Sequence, residues 1–588
     1  MLVFRELRRP VNTERLLHDL LTHLDQIRYA GKNVKIRGLL ESALLQAGQL
    51  ECGLHDLPFD VVSASPFFAE SVTLSSRLTD LLAPALLVPE HSGPLSAQAQ
   101  QLCQKIRCPE TFDLSPPEGF CFYALHPLDY AERALQLRFL FNARSVAVVG
   151  IRTIGTTLSA VVAAALQNVN TGNRKVERIT VRPTGHPYDR VTALKEEELA
   201  FVRAKCQRNS IFLIVDEGPG LSGSSFLSVA TALEEAGADR ASIKFLCGRE
   251  VVPESLVALH AATRWNRYQA FSVAATNNLP ATASTSDLLP DADWRMRIFS
   301  HSAYDSSPYR DPESWPAEWT GMTPRKFFST DLQSGAKTAA AKTIFKYEGL
   351  GQFGANVRSR AYAVANAGFG PMPIVRDNEN GFTAYPMLTG TLLSPADITE
   401  NLLECMAHYL AFRAAEFRAE FADQATLEQM TRFNFAQIAG HELHAPFPLE
   451  LNHPVIADAR MMPHEWIRLG DGRILKLDAA AHGDNHFFPG PTDVAWDLAG
   501  VIAEWHFDAS ATDDFLSRYE KISGDDVRSR LPSYLIAYTA FQAGYAAMAA
   551  SAMAQNEAAE RRRLLRDYER YRRLLLELAA SGSHACAV

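Results

Sequence analysis

The stretch Ile211-Phe212-Leu213-Ile214-Val215-Asp216-Glu217-Gly218-Pro219-Gly220-Leu221-Ser222-Gly223-Ser224-Ser225 decides how the middle of this chain is read. Five apolar residues in a row suit a strand buried on both faces, as in a parallel sheet covered by helices. Asp216 and Glu217, two adjacent acids at its end, repel each other and call for a cation or a polyhydroxyl ligand. The small residues that follow open a helical run, FLSVATALEEAGA, so backbone N–H groups, hydroxyls and the helix dipole are offered to a phosphate. Acids for ribose hydroxyls beside a nest for a 5′-phosphate describe a ribose 5-phosphate site. An N-capped turn with solvated acids is the plainer alternative.

Working outward, the short apolar runs SVAVVG (145–150), RITV (178–181) and SIKFLCG (242–248) alternate with helix-length segments at 156–168 and 223–237. The pattern predicts an α/β fold with a parallel sheet whose ligands bind beyond the carboxyl ends of the strands. Strand, acid pair and small-residue loop together resemble the signature of type I phosphoribosyltransferases, the orotate phosphoribosyltransferase kind among them. By that resemblance Gly218, Gly220, Leu221, Ser222, Gly223, Ser224 and Ser225 hold the phosphate, and Asp216 and Glu217 orient the ribose. Ile151, Arg152, Thr153, Gly155 and Thr156 form the pyrophosphate loop, with Arg152 meeting the pyrophosphate. Arg182, His186 and Arg190 belong to a mobile loop that closes over the reaction centre.

The implied reaction displaces pyrophosphate from phosphoribosyl diphosphate. Mg²⁺ and arginines stabilise the charge that grows on the leaving group, while loop closure excludes water. The acceptor, base-like in this family, is selected by a hood that residues 1–118 or the segment Arg264–Tyr268 would supply. Trp265 either stacks on a flat base there or fills the core.

From about Pro324 the pattern changes to a short β-rich part, a turn-rich segment and a long helical end. TIFKYEG places Lys346 in an amphipathic strand, DARMMPH follows Val455-Ile456-Ala457, and ILKLDAAAHGD ends a strand with Asp478. In this order, and followed by GPTDVAWDLAG at 490–500, these segments resemble the aminoglycoside and choline kinase-like phosphotransferases. The resemblance implies a bilobal α+β, protein-kinase-like domain using ATP and Mg²⁺. Asp458 would accept the proton of the acceptor hydroxyl, Lys346 would touch ATP phosphates, and Asp497 would brace the catalytic loop. Asp478 and His464 would be the metal ligands, and Met387 and Leu388 would line the hinge against adenine.

The pattern departs from the family at three places. Pro463 stands where the family has a metal-binding Asn, with His464 one place later. The helical run after Lys346 lacks a Glu, and Ala457 replaces a common Gly. Lys342 shares the strand face of Lys346 and is an alternative to it. His482 and His486 have helical metal-pair spacing, but Gly483 and Asn485 favour a loop.

The 588 residues carry 58 Lys+Arg against 67 Asp+Glu, a net charge of −9 that disfavours nucleic acid as a partner. The basic run Arg561–Arg573 reads as a solvated amphipathic helix. Eight scattered cysteines form no CxxC pair, so reduced thiols are expected. The start has no secretory h-region. The nearly uncharged run Ala537–Ala554 is Ala-rich and reads as a buried helix, so no membrane partner is expected. The boundaries follow as a helix-rich region 1–118, which could make the hood or a homodimer contact, the phosphoribosyltransferase-like unit 119–275, a linker 276–323 and the kinase-like unit 324–580.

The expectation is a cytoplasmic bifunctional transferase of small-molecule substrates that transfers phosphoribosyl to an unknown nucleophile and phosphorylates a hydroxyl with ATP. The rival expectations are a regulatory phosphoribosyl diphosphate sensor with a degenerate kinase-like domain, and an active transferase joined to an inactive kinase.

Overall fold

The computed structural model describes the chain apart from residues 6–7, 30–35, 64, 142–143, 169–174, 275–287, 291–293, 300–303, 320–321, 323–325, 331–340, 375–379, 444–446, 554–556 and 586–588. The fold is mixed α/β. Its first sheet is five-stranded and all parallel, in spatial order Val176–Val181, Val146–Ile151, Ile211–Val215, Ile243–Cys247 and Gln269–Ser272. Every residue of Val146–Ile151 and Ile211–Val215 is buried, as a sheet covered on both faces requires. Strand order reverses beside these two strands. Their carboxyl ends, Gly150 opposite Val215, therefore open the crevice where ligands of such sheets bind.

Four helices, Thr13–Arg28, Ile36–His55, Pro66–Leu87 and Ser92–Lys105, pack together and onto the helix Gly155–Asn168. Leu20, Leu24, Leu40, Leu44 and Leu50 thus meet Ala160, Val161 and Ala165 of that helix in one leucine-rich core. Gly155 is dictated by close approach, because a Cβ there would lie 2.7 Å from the carbonyl oxygen of Val215.

The second half begins with an antiparallel four-stranded sheet, Leu288–Pro290, Lys326–Thr330, Ala341–Tyr347 and Phe382–Pro386. Short ladders follow: Gly390–Leu392 with Trp466–Leu469 and Ile474–Lys476, and Pro454–Ile456 with Pro491–Asp493. Helices from Glu400–Glu416 to Ala558–Ala585 complete it. The Ala-rich run folds as Leu531–Ala552 and is buried against Gln424–Ala439, Ala495–Glu504 and Ala558–Ala585. Among the described residues no helix is long and apolar enough to cross a membrane.

Two features tie the halves together. Residues 1–5 dock in the C-terminal core, where Val3 is fully buried and the Leu2 N–H donates to Asn434 Oδ1 at 2.6 Å. The chain then pairs Arg9–Asn12 with Thr111–Leu114. Within 276–323 the described residues include the helix Trp294–Phe299, whose Arg295 is buried and paired with Glu560 at 2.6 Å. This segment therefore packs on the final helix.

Candidate functional site

Asp216 and Glu217 leave the strand Ile211–Val215 at its carboxyl end, and Asp216 is buried. Glu217 Oε2 accepts the Gly119 N–H at 2.6 Å, which brings in Glu118 from the one-turn helix Glu118–Cys121. Burial raises the carboxyls of Glu118, Asp216 and Glu217 above their ordinary range, and the charge of Glu217 pushes its two neighbours up further. Burial and mutual repulsion outweigh the pull of Arg182 on Asp216, which leaves one or more of the three acids protonated in the free protein.

In the loop beyond, Gly223 is left-handed at φ 74° and Ser224 starts the helix Ser224–Glu235. The serine hydroxyls of this loop are engaged. Ser222 Oγ and Ser224 Oγ donate to the Pro187 carbonyl at 2.8 and 2.6 Å. Pro187 lies at the tip of the hairpin Thr184–His186/Asp189–Val191, so the hairpin that carries His186 and Arg190 rests on the loop. His186 is exposed, and Arg190 turns back onto the Gly185 carbonyl. Arg249 donates to Gly220 O at 2.8 Å, while Gly218, Leu221 and Ser225 are only partly covered.

Arg152 and Arg182 do not point into open space. Arg152 is buried, with Nε 3.0 Å from Asp56 Oδ1 and Nη1 2.9 Å from Thr180 O. Arg182 pairs with the same Asp56 and donates to Arg152 O at 2.8 Å. Against the cost of burial, the two guanidiniums hold Asp56 below the usual carboxylate range. Ile151 is buried in the sheet, Thr153 Oγ1 is 3.4 Å from Arg182 Nη1, and Thr156 Oγ1 is buried without a hydrogen-bond partner. Trp265 is core, with its ring 4.8 Å from Phe245 and 5.6 Å from Phe226, and is not available to stack on a base.

The second centre lies at the ends of the short ladders. Asp458 is buried, accepts the Tyr409 hydroxyl, and has Lys476 Nζ and Arg413 Nη1 at 3.5 and 3.7 Å. Asp497 accepts the N–H groups of Asp458 and Ala459 at 2.7 and 2.9 Å and so pins this loop. Lys346 pairs directly with Asp478. Glu348, two residues on, is occupied by Tyr385 at 2.6 Å and by Thr383. The side chain of Lys342 lies outside the described residues. Met387 and Leu388 are half-buried against a small cluster that contains Phe299, Leu392 and Ile467.

Asp478 gathers the metal-capable groups differently from expectation. Glu465, Asp478 and His482 bring their ligand atoms within 4.8 Å of one another, and His464 is not among them. His464 instead turns toward the rings of Trp294 and Tyr309, and burial drives its imidazole down to about 3. His464 and Glu465 are neighbours in the turn Pro463–Glu465 and equally buried, and it is Glu465 that reaches Asp478. Despite burial, Lys346 and His482 hold Asp478 well below its ordinary value, and Arg460 and Lys476 hold Glu465 at about 2. Both carboxylates are therefore ionised. Their oxygens suit a hard cation such as Mg²⁺ alongside phosphate and water, whereas the His482 imidazole does not. Residues 482–484 form a single 3-10 turn, so His482 and His486 make no helical pair.

Between the two centres lies a chamber of about 340 Å³. Arg9, Pro116 and Phe122 line it from the first half, and Arg460, Asp484 and Tyr545 from the second. Asp56, Glu118, Glu465 and most of the chamber walls were not marked by the sequence, although His482 and His486 among them were. Glu118 had a local signal, an acid directly after Pro116 and Pro117.

No family model matches the chain, and no curated protein does. Among solved structures, a choline kinase from Streptococcus pneumoniae is 14% identical, covering 42% of this chain and 89% of its own, with TM-score 0.28. A choline/ethanolamine kinase family protein from Mesorhizobium loti is 16% identical over 48% and 97%, with TM-score 0.28. An ethanolamine kinase from Plasmodium vivax is 10% identical over 42% and 78%, with TM-score 0.28.

Proposed function

We propose that the chain is a two-centre small-molecule transferase whose second centre moves a phosphoryl group from ATP to a hydroxyl. The observation that carries this reading is the ionised pair Asp478 and Glu465, with Lys346 on Asp478 and the Asp458 loop pinned by Asp497. Phosphoryl transfer needs positioned charge more than covalent help, and these groups supply it. Bound Mg²⁺ would offset the phosphate charge. Lys346 would have to exchange Asp478 for phosphate, and Asp458 would take the acceptor proton after Tyr409 yields its hydrogen bond. ATP turnover with small-molecule hydroxyl acceptors tests this, and Asp478→Asn turning over ATP as fast as wild type would sink it.

The first centre we read as a phosphoribosyl diphosphate site that transfers the phosphoribosyl group to a base-like nucleophile and releases pyrophosphate. The left-handed Gly223, the helix start at Ser224 and the acids at the strand end support it. In this reading the Pro187 turn must lift from Ser222 and Ser224 before phosphate can enter, and the pyrophosphate must compete with Asp56 for two arginines. Pyrophosphate release that no base raises above the acceptor-free blank would count against it.

The rival reading, a binding protein with an inactive kinase-like half, draws on the burial of Asp458 beneath Tyr409, Arg413 and Lys476 and on Pro463. Binding of Mg²⁺-ATP without turnover of any acceptor would favour it.

A further inference from the structure

The chamber between the halves has the chemistry of a binding site, and its walls define what it accepts. Ala459 and Arg460, which follow Asp458, and His482 and Asp484, which follow Asp478, form one side. An occupant would therefore lie next to the phosphoryl-transfer groups. Arg9 and the segment 114–122 form the other side, so the first half completes a site that belongs to the second.

Among the described residues three buried polar atoms on the walls have no hydrogen-bond partner, Gln352 Oε1, His482 Nε2 and His486 Nδ1, of which His482 Nε2 faces Asp478 Oδ2 at 3.2 Å. His486 is 3% exposed, and its Nε2 lies 2.8 Å from the Tyr123 hydroxyl, which also lies 3.2 Å from Met322 Sδ. The proton of that contact belongs to the ring or to the hydroxyl, so Nδ1 is left as an acceptor in one tautomer and as a donor in the other. Burial keeps this imidazole neutral. The Gln352 amide nitrogen is turned toward Gln49 Oε1 at 3.4 Å, and both side chains belong to the chamber wall. Gln352 Oε1 asks for a donor and His486 Nδ1 for a partner of either kind, and a hydroxyl can serve both.

The charges point the same way. Four carboxylates line the chamber, Glu318, Glu348, Asp484 and Asp567, and its two guanidiniums are already paired, Arg9 with Asp484 and Arg460 with Glu465. A phosphate placed here would meet acids without a cation to receive it. The rings of Phe122, Trp294 and Tyr545 offer flat apolar faces.

We infer that the chamber is the acceptor site of the second centre, completed by the first half of the chain, and that it takes an unphosphorylated, hydroxyl-rich molecule bearing a flat ring, of the nucleoside class. The inference deepens the kinase-like reading and rests on it for the occupant's fate. It also places a reaction between the two centres. A ribosyl 5-phosphate product of the first must lose its phosphate by hydrolysis before the second admits it.

The test titrates the full chain by calorimetry, with Mg²⁺ and a non-hydrolysable ATP analogue present, using adenosine, guanosine, cytidine and uridine and the four 5′-monophosphates. At least one nucleoside is expected to bind tenfold or more tighter than its own monophosphate. Gln352→Leu, checked for an unchanged melting temperature, is expected to weaken that nucleoside tenfold. Should Gln352→Leu fail to fold, Gln352→Glu keeps an acceptor oxygen and is expected to retain the nucleoside while weakening the monophosphate further. The inference is overturned if no nucleoside binds, if a monophosphate binds as tightly as its nucleoside, or if the folded variant binds unchanged. Failure of the kinase reading shows separately, as nucleoside binding without ATP-dependent phosphorylation in wild type. Asp478→Asn is expected to keep the nucleoside and lose phosphorylation.

Discussion

Two buried guanidiniums, Arg152 and Arg182, meet on one carboxylate, Asp56. Removing it takes the paired carboxylate from Arg182 and leaves Arg152 with Glu198 at 3.9 Å, so Asp56→Ala is expected to cost about 3–5 kcal/mol in urea unfolding. Added Mg²⁺-pyrophosphate should restore more stability to the variant than to wild type, because the ligand replaces the lost charge. The acids Glu118, Asp216 and Glu217 give a second prediction. Their folded values are raised, so the folded chain holds protons that the unfolded chain has released. Stability from this cluster is therefore present at low pH and is lost as pH rises from the ordinary carboxylate range through the folded values. Glu217→Gln should raise the melting temperature at pH 8 more than at pH 5, and an equal shift at both would refute the argument. The acid pair was legible in the sequence because both members follow one strand. Asp56 was not, since it lies 96 positions from Arg152 and no local pattern marks the partner of a buried charge.

The one-turn helix Glu118–Cys121 touches both candidate centres. Its Gly119 N–H serves Glu217, and its Phe120 carbonyl accepts the Tyr347 hydroxyl and the Leu350 N–H, the latter at 2.8 Å. Tyr347 is the neighbour of Lys346 in the strand Ala341–Tyr347. Tyr347→Phe, which removes one buried hydrogen bond, is expected to cost about 1–2 kcal/mol in denaturant unfolding. No change in stability would mean that the contact carries no weight. Among longer elements, Ile211–Val215 was readable because every residue in it is apolar, and Leu531–Ala552 because alanine packs helices closely without supplying insertion energy. The hairpin at 184–191 was read as a mobile loop. Its seat on Ser222 and Ser224 depends on a carbonyl, and backbone carbonyls have no sequence signature.

Across the whole molecule, residues 1–5 belong to the C-terminal half. Val3 O accepts the Phe488 N–H at 3.1 Å, and the Arg5 N–H donates to His486 O at 2.9 Å. Val3→Asp buries a charge in an apolar core and is expected to cost about 3 kcal/mol or more. Hydrogen exchange should then show residues 485–488 losing protection while the strand Ile211–Val215 keeps its own. Equal loss in both would mean that the halves unfold as one unit. What the sequence alone determined is local: the buried strands Val146–Ile151 and Ile211–Val215 by their apolar runs, and a helix that opens after a loop of small residues. What only the tertiary structure decided is which distant groups share a charge balance or a wall. It placed Asp56 on the two arginines, Glu465 instead of His464 beside Asp478, and segment 114–122 over the second centre. Electrostatic pairing and cavity shape depend on distance in space, and residues far apart in the chain carry no mark of being neighbours.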